Sequence, residues 1–342
     1  MAYSKLARLV APAIGTAVLA LPVSAQAQDA GAPDVSFYGQ LNFGVFAVDD
    51  GTNDDTYVTD NDNSNSRVGF IYETGLNNGG AFKFHFETAL GLNGSASVTP
   101  TDNDLDVDWR RTELRKFEVI YTTPSIGRFS FGQGSTATDG VAETDFSGTG
   151  LVSYSGVSDL AGSVEFRNAA GLGSGETVGS SFTNLDGGRR FRVRYDSPLY
   201  AGFGISASAG EEVLRRGDDR EFYDLALRYD RDYGPVTVAA SLGYQWIDSS
   251  EENIVGSVAM YHGATGLNAA VSAGRNQETD SDYVYTKLGL TRDWLAIGST
   301  ALSVDFYEGD DVALAGSESS SVGFGLVQEV DQYNTTVYAG YR

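Results

Sequence analysis

The 342-residue chain carries 23 Lys and Arg against 46 Asp and Glu, with two His and no Cys. Such acidity argues against nucleic-acid partners, which need basic patches, and the lack of cysteine removes any disulfide framework from an exported chain. Two histidines without cysteine leave little room for a zinc or copper site.

At the N-terminus, Lys5 and Arg8 precede an apolar run from Leu9 to Val23 that Pro12 and Pro22 interrupt, and Ala25-Gln26-Ala27 follows. A positive segment, a short apolar segment and a small-x-small cleavage site together read as a secretory signal peptide over residues 1–27. The run is too short to span a bilayer as a helix. Without it the chain has 21 basic and 46 acidic residues, a formal net charge of −25.

Beyond residue 27 the hydrophobic period is two nearly everywhere. In Ala81 to Leu92, Phe82, Phe84, Phe86 and Leu90 alternate with Lys83, His85, Glu87 and Ala89. In Arg190 to Asp196, Phe191, Val193 and Tyr195 alternate with Arg190, Arg192 and Arg194. Fifteen such segments begin near Val35, Arg67, Ala81, Arg111, Gly127, Arg190, Phe203, Glu221, Pro235, Ile254, Leu267, Tyr283, Ala301, Ser320 and Thr335. Their length suits the roughly 9–11 residues of a tilted transmembrane strand better than a soluble-sheet strand.

The connections alternate in kind. Short turns such as Asn77-Asn78-Gly79-Gly80, Ser197-Pro198-Leu199-Tyr200 and Gly263-Ala264-Thr265-Gly266 follow the even segments. Mostly longer, acidic loops follow the odd ones, beginning with Asp49 to Ser66 and Asn93 to Trp109. A soluble sandwich has no reason to keep that alternation in step; an up-and-down outer-membrane barrel does. No apolar run of 18 residues occurs after the signal peptide, so a membrane form has to be a closed barrel, which satisfies its backbone between strands. The pattern therefore predicts an all-β protein, a transmembrane antiparallel β-barrel formed by one domain over residues 28–342. Aromatics near segment ends, among them Phe37, Tyr38, Tyr121, Tyr200, Tyr233, Trp246, Tyr283, Trp294 and Tyr333, suit the two headgroup girdles. Bacterial single-chain barrels have an even strand count. The last segment, Thr335 to Arg342, runs outward, so the pattern predicts a sixteenth, returning strand that is not visible, unless the count of fifteen is wrong.

Several stretches carry a resemblance. Val35-Ser36-Phe37-Tyr38-Gly39-Gln40-Leu41 resembles an opening strand "V-x-L/F-Y-G-x-L/A". Asn65-Ser66-Arg67-Val68-Gly69-Phe70 with Glu73 is similar to "S-R-L/F-G-F-K-G-x-E". Gly127-Arg128-Phe129-Ser130-Phe131-Gly132-Gln133 resembles "G-x-L-x-x-G-R/Q", and Arg194-Tyr195-Asp196-Ser197-Pro198 with Gly202-Phe203 resembles "R-Y-x-S-P-x-x-x-G-F". In this order across nearly the whole mature chain, they resemble the Gram-negative general (diffusion) porin family of trimeric, sixteen-stranded outer-membrane barrels. One departure is the end, Gly340-Tyr341-Arg342, where the family closes a terminal strand with Phe.

The connection from Gly134 to about Gly188 is far too long for a hairpin, and loops of that length are functional or disordered. The resemblance implies that it folds into the lumen and narrows the pore, presenting Asp139, Glu143 and Asp145. Opposite it the family carries a basic wall, matched here by Arg67 and Arg115. Phe117 shares the parity of Arg115, so a bulge or a register error is implied and Lys116 is the neighbouring candidate. Arg190, Arg192 and Arg194 share one face that must line the lumen, because an arginine facing lipid at mid-membrane costs roughly 2–4 kcal/mol. Lys83 follows the same logic, and Gln40 stands where many family members carry lysine.

Acids facing bases across a constriction set up a transverse field that filters solutes by size, charge and dipole. The reading is a water-filled channel for passive diffusion of ions and small hydrophilic solutes in the outer membrane of a Gram-negative bacterium. The acid total leans it weakly towards cations, a lean the arginine ladder could cancel or reverse. One alternative is a substrate-specific channel with an aromatic sliding track, which the mainly outward parity of the aromatics disfavours. Another is a barrel hydrolase, for which only His85 and His262 are available as bases. His85 reads better as a lumen residue and His262 as a turn residue. The expected partners are two further copies in a homotrimer, with the loop Asn93 to Trp109 as its latch, and outer-membrane lipid and lipopolysaccharide. No cofactor is expected. Paired acids (Asp49-Asp50, Asp54-Asp55, Glu211-Glu212, Asp218-Asp219, Glu251-Glu252, Asp310-Asp311) are candidates for structural Ca²⁺, although none has an EF-hand spacing and simple solvation explains them equally well.

Overall fold

The computed structural model describes residues 33–248 and 251–342, and the signal peptide expected over 1–27 lies outside the described residues. Among these, no helix is long and apolar enough to cross a membrane. Nineteen strands form: β1 (Asp34–Gln40), β2 (Phe43–Asp49), β3 (Asp54–Asp60), β4 (Arg67–Gly75), β5 (Ala81–Ala89), β6 (Leu114–Thr123), β7 (Gly127–Ser135), β8 (Glu165–Arg167), β9 (Gly173–Thr177), β10 (Arg189–Asp196), β11 (Phe203–Glu211), β12 (Glu221–Tyr233), β13 (Val236–Ile247), β14 (Glu251–His262), β15 (Leu267–Asn276), β16 (Asp282–Leu295), β17 (Gly298–Asp310), β18 (Glu318–Val330) and β19 (Thr335–Tyr341).

Fifteen of them make one antiparallel sheet in chain order, and these are the fifteen segments the alternation predicts. The hairpins β2–β3 and β8–β9 stand apart from it. One face of the sheet is apolar and accessible, as a lipid-facing surface must be: Phe131, Val193 and Leu288 are all more than half exposed. The other face is polar and covered, with Lys287 1% and Asp305 0% exposed. A single connection, from β7 to β10, bonds to that covered face on strands from β10 to β17, so the sheet wraps around it. This is the transmembrane barrel. Its edge strands β1 and β19 are tied at one end, where the Tyr338 hydroxyl donates to Asn42 Oδ1 at 2.5 Å and accepts from Asn61 Nδ2 at 3.0 Å.

The first segment departs from its expected course. The first segment is expected to reach the loop that begins at Asp49, yet the wall strand stops at Gln40 and residues 43–60 fold back as the hairpin β2–β3. Asn42 fixes the departure: it is wholly buried, its N–H donates to Ser66 Oγ at 2.8 Å and its amide to Ser64 O at 2.7 Å. The hairpin's apolar side, Phe46, Val48 and Tyr57, joins a core inside the barrel. Two girdle expectations are also corrected. Tyr38 turns inward to His85 and Glu87, and Tyr283 is buried in the interior core.

Candidate channel constriction

The connection from Thr136 to Gly188 begins on arginines. Arg192 pairs with Glu118 of β6 at 2.5 Å and donates to Ser135 O at 2.9 Å. Arg194 donates to Thr136 O at 2.5 Å, and Arg228 of β12 donates to Ala137 O at 2.8 Å and Asp139 O at 3.1 Å. Thr138 then donates through N and Oγ1 to Asp224. These contacts satisfy carbonyl and amide groups that a buried loop would otherwise leave unpaired, which is why polar wall residues are needed there.

The apolar side of the connection, with Val141, Ala142, Val157, Val178 and Phe182, packs into one cluster with Tyr283, Tyr285 and Tyr307 of the wall and with the β2–β3 hairpin. Farther along, Thr149 donates to Ser303, Lys287 pairs with Asp145, and the Tyr307 hydroxyl donates to Thr183 O at 2.7 Å. The loop thus fills the side of the lumen under β12–β18. On the opposite side, against β4, β6 and the start of β10, a polar cavity of about 430 Å³ remains. Arg67, Arg115 and Arg189 line it from the wall; Asp62, Asp139, Glu143, Asp159 and Asp186 line it from the loops.

The wall cations are held in place. Glu87 on β5 lies between Arg115, at 2.6 Å, and Arg67, at 3.5 Å. The loop acids take neutral donors. Asp186 accepts the N–H groups of Gly140 at 2.6 Å and Ala142 at 2.7 Å; Asp62 accepts that of Ala96 at 2.7 Å; Asp159 accepts the Tyr154 hydroxyl. Loss of bulk water pushes the Asp62 carboxyl up to about 7, against the opposing effect of its backbone bond. Glu143 faces the lumen, but confinement there raises its carboxyl above the ordinary range, and the charges of Asp139 and Asp159 raise it further. Burial likewise raises Asp186, with the Glu143 charge adding to it.

Of the residues singled out from sequence, Asp139, Glu143, Arg67 and Arg115 meet at this cavity. The parity conflict at Arg115 resolves as a bulge: Glu87 pairs with Lys116 and Thr88 with Leu114, so Arg115 is the extra residue. Lys116, Glu118 and Ile120 then share the inward face of β6. Asp145 lies elsewhere, paired with Lys287 beneath the loop. Arg192 and Arg194 anchor the loop's first residues. Arg190 sits over the Phe222 ring at 4.1 Å beside a second cavity, with Glu212 at 3.8 Å. Lys83 pairs with Glu73 at 3.0 Å away from the constriction, and Gln40 donates to Ser64 O and Asn65 O.

Sequence reading missed Arg189, Asp186, Asp159, Tyr154 and Asp62. Arg189 has the wrong parity for the ladder, but it sits where the loop enters the strand and alternation has not yet begun. The Asp186-Gly187-Gly188 turn just before it was a usable signal. His85 bonds the Tyr38 hydroxyl at 2.7 Å, and His262 bonds Thr265 in its own turn. Among the described residues no three His, Cys, Asp or Glu converge where a metal ion could be held. Asp50 and Asp218 are instead taken by Arg167 and Arg220.

A sequence profile described as "Gram-negative porin" matches residues 15–342. No curated protein matches the chain. Among solved structures, the anion-selective porin from Comamonas acidovorans superposes with a TM-score of 0.58 at 14% identity, covering 91% of this chain and 99% of that one. OprB of Pseudomonas putida gives 0.52 at 11% identity, covering 91% and 93%, and the channel DcaP of Acinetobacter baumannii gives 0.51 at 12%, covering 92% and 99%.

Proposed function

Because the chain belongs to the Gram-negative porin family, we propose that it is a passive channel whose filter is the cavity between Arg67, Arg115 and Arg189 on one side and Asp139, Glu143, Asp159 and Asp186 on the other. The protein is an outer-membrane β-barrel, and its family and fold are those of a channel for solute diffusion rather than of an enzyme. The observation that carries the proposal is the polar cavity left beside the long connection, with guanidinium groups and carboxylates on opposing sides. A field across that gap favours a hydrated ion or a polar solute that can align its dipole, and penalises an apolar one that must displace ordered water. Lipid and lipopolysaccharide surround the apolar outer face, and the working assembly is a homotrimer.

The test is recording from the purified full chain in planar bilayers. Stepwise, long-lived conductance increments are expected, with Arg115→Ala changing their size. Inserted barrels that conduct nothing would overturn the proposal in favour of a closed or structural barrel.

A further inference from the structure

We propose that the second cavity, between residues 183–188 of the long connection and the wall strands β10–β14, is a holding site for small zwitterions. These are molecules of amino-acid size that carry a carboxylate together with an ammonium group able to donate hydrogen bonds. The proposal rests on the diffusion-channel reading for the route by which such a solute arrives, and adds the class of solute that pauses there.

The cavity has a volume of about 250 Å³, just below the roughly 300–1,000 Å³ of pockets for drug-sized ligands, so its occupant is small. Of its lining it shares only Asn184, Asp186, Gly187 and Gly188 with the filter cavity, so one strip of the long connection separates the two. That strip is pinned: Gln245 of β13 donates to Leu185 O at 2.9 Å, and Gly187 N donates to Thr138 O at 3.3 Å.

Arg190 of β10 supplies the cationic end. Its guanidinium lies over the buried Phe222 ring of β12, 4.1 Å from the centroid, a contact that holds it in place. Nη1 donates to Arg189 O at 2.7 Å, and its ion-pair partner Glu212 stands 3.8 Å away, beyond hydrogen-bond reach. Nε is buried and, among the described residues, has no acceptor. Arg220 approaches the same ring at 5.7 Å, but Asp218 takes it with bonds of 2.9 and 2.8 Å. Arg190 therefore has bonding capacity that Arg220 has spent.

Asn253 of β14, 3% exposed, supplies the accepting end. Its Nδ2 donates to Glu251 Oε1 at 3.1 Å. A carboxylate only accepts, so this bond fixes the orientation of the amide and turns Oδ1 away from Glu251. That oxygen is buried and, among the described residues, receives no donor, a costly state for a polar atom. Asp186 and Asp224 add negative charge to the lining. Their bonds come from neutral groups, the N–H of Gly140 and Ala142 for one and Thr138 N and Oγ1 for the other.

The guanidinium, carried over β12, and Asn253, on β14, are two strand spacings apart, roughly 10 Å along the wall. Two hydrogen bonds of about 2.9 Å, with the carboxylate and ammonium of an amino acid between them, fill that span. A simple carboxylate satisfies Arg190 and leaves Asn253 Oδ1 unpaired; a simple amine does the reverse. A neutral polyol reaches both ends but forgoes the carboxylate–guanidinium bond, the stronger of the two.

The experiment is isothermal titration of the detergent-purified full chain with glycine, acetate, methylammonium and glucose in separate runs, beside planar-bilayer conductance of the same preparation. Glycine should saturate, with binding at least about tenfold tighter than that of the other three. Trimethylglycine keeps both charges but has no N–H to give, and should bind no better than acetate; this comparison needs no variant to fold. Arg190→Met and Asn253→Ala should each weaken glycine binding about tenfold or more, with the far-ultraviolet circular dichroism of the parent. No saturable heat from glycine, or equal binding of acetate, glucose or trimethylglycine, would overturn the inference while conductance stands. A barrel that conducts nothing would instead overturn the channel reading, and with it the route to the site.

Discussion

Asp145 of the long connection and Lys287 of β16 meet carboxylate to ammonium at 2.8 Å, with the lysine side chain 1% exposed and the aspartate 19%. The pair is lopsided. Asp145 has two further donors, Ser147 N at 2.9 Å and Ser147 Oγ at 2.6 Å, while Lys287 has the Ser153 carbonyl at 2.5 Å. Removing one partner of a buried pair costs on the order of 3–5 kcal/mol because the other charge is left in a dry site. Asp145→Asn should therefore be the more damaging change, and Lys287→Met the milder one. The double variant should recover part of the loss. Denaturant midpoints of refolded protein, followed by far-ultraviolet circular dichroism, measure it. Equal losses in both single variants would refute the argument.

The wall was legible because two independent signals agree on it: period-two alternation, and turns that alternate short and long. Neither signal reaches inside the barrel. Phe43 and Val45 keep the parity of Val35, Phe37 and Leu41, but Phe46 and Val48 put apolar residues on the face of Ser36 and Gln40; the burial of Asn42 and the core that takes Phe46 and Val48 show why the chain leaves the wall there. At Arg115 the sequence registered a conflict of parity but not its resolution, since a bulge is settled by the neighbouring strand. In the long connection there is no period at all. Asp145 and Asp186 look alike as residues, and only tertiary packing sends one to Lys287 and the other to the constriction.

Glycines on the inward face mark where the loop lies against the wall. A Cβ at Gly243 of β13 would stand 2.7 Å from Thr138 Cγ2 and 3.3 Å from Val141 Cγ1; one at Gly340 would stand 2.9 Å from Val152 Cβ. Gly75, at the end of β4, has nothing within 4 Å. Gly243→Val should push the loop off the wall at an overpacking cost of about 1–3 kcal/mol and change the single-channel conductance. Gly75→Ala should change neither. Unaltered conductance in Gly243→Val would show that the loop is not held at this point.

The tip of the β2–β3 hairpin is fastened to the loop by Asp50, whose carboxylate meets Arg167 at 2.5 Å. Burial pushes the Asp50 carboxyl up, but the Arg167 guanidinium and the N–H groups of Asn53 and Thr52 outweigh it and hold it at about 2. A depressed carboxyl contributes stability above its ordinary value near 4 and loses it as pH falls towards 2. The tip should therefore resist pepsin at about pH 4 and give way progressively as the pH falls towards 2, whereas Arg167→Ala should be cleaved over the whole range in which pepsin acts. A variant no more sensitive than the parent would rule out the pair as the fastening.

The loop between β5 and β6 divides into a half packed inside its own barrel and an exposed half, which bears on the proposed trimer. Gly94 bridges to Asp60, the Ser95 hydroxyl donates to Asp159 O at 2.6 Å, and Val98 is buried in the interior core. These residues serve their own barrel and are not available to a neighbour. From Pro100 to Arg110 every residue is exposed, including Leu105, Val107 and Trp109. Apolar side chains grouped on an exposed loop suit a surface covered by another protein. Val107→Asp should weaken the trimer while leaving the barrel and its single-subunit conductance intact. Val98→Asp places a charge in the interior core instead and should impair folding before assembly. Sedimentation in detergent, paired with circular dichroism, separates the two. If Val107→Asp stays trimeric with an unchanged dissociation temperature, the contact lies on another face of the barrel, and the apolar outer surface of β1 and β4–β6, with Phe37 and Phe117 more than half exposed, becomes the surface to substitute.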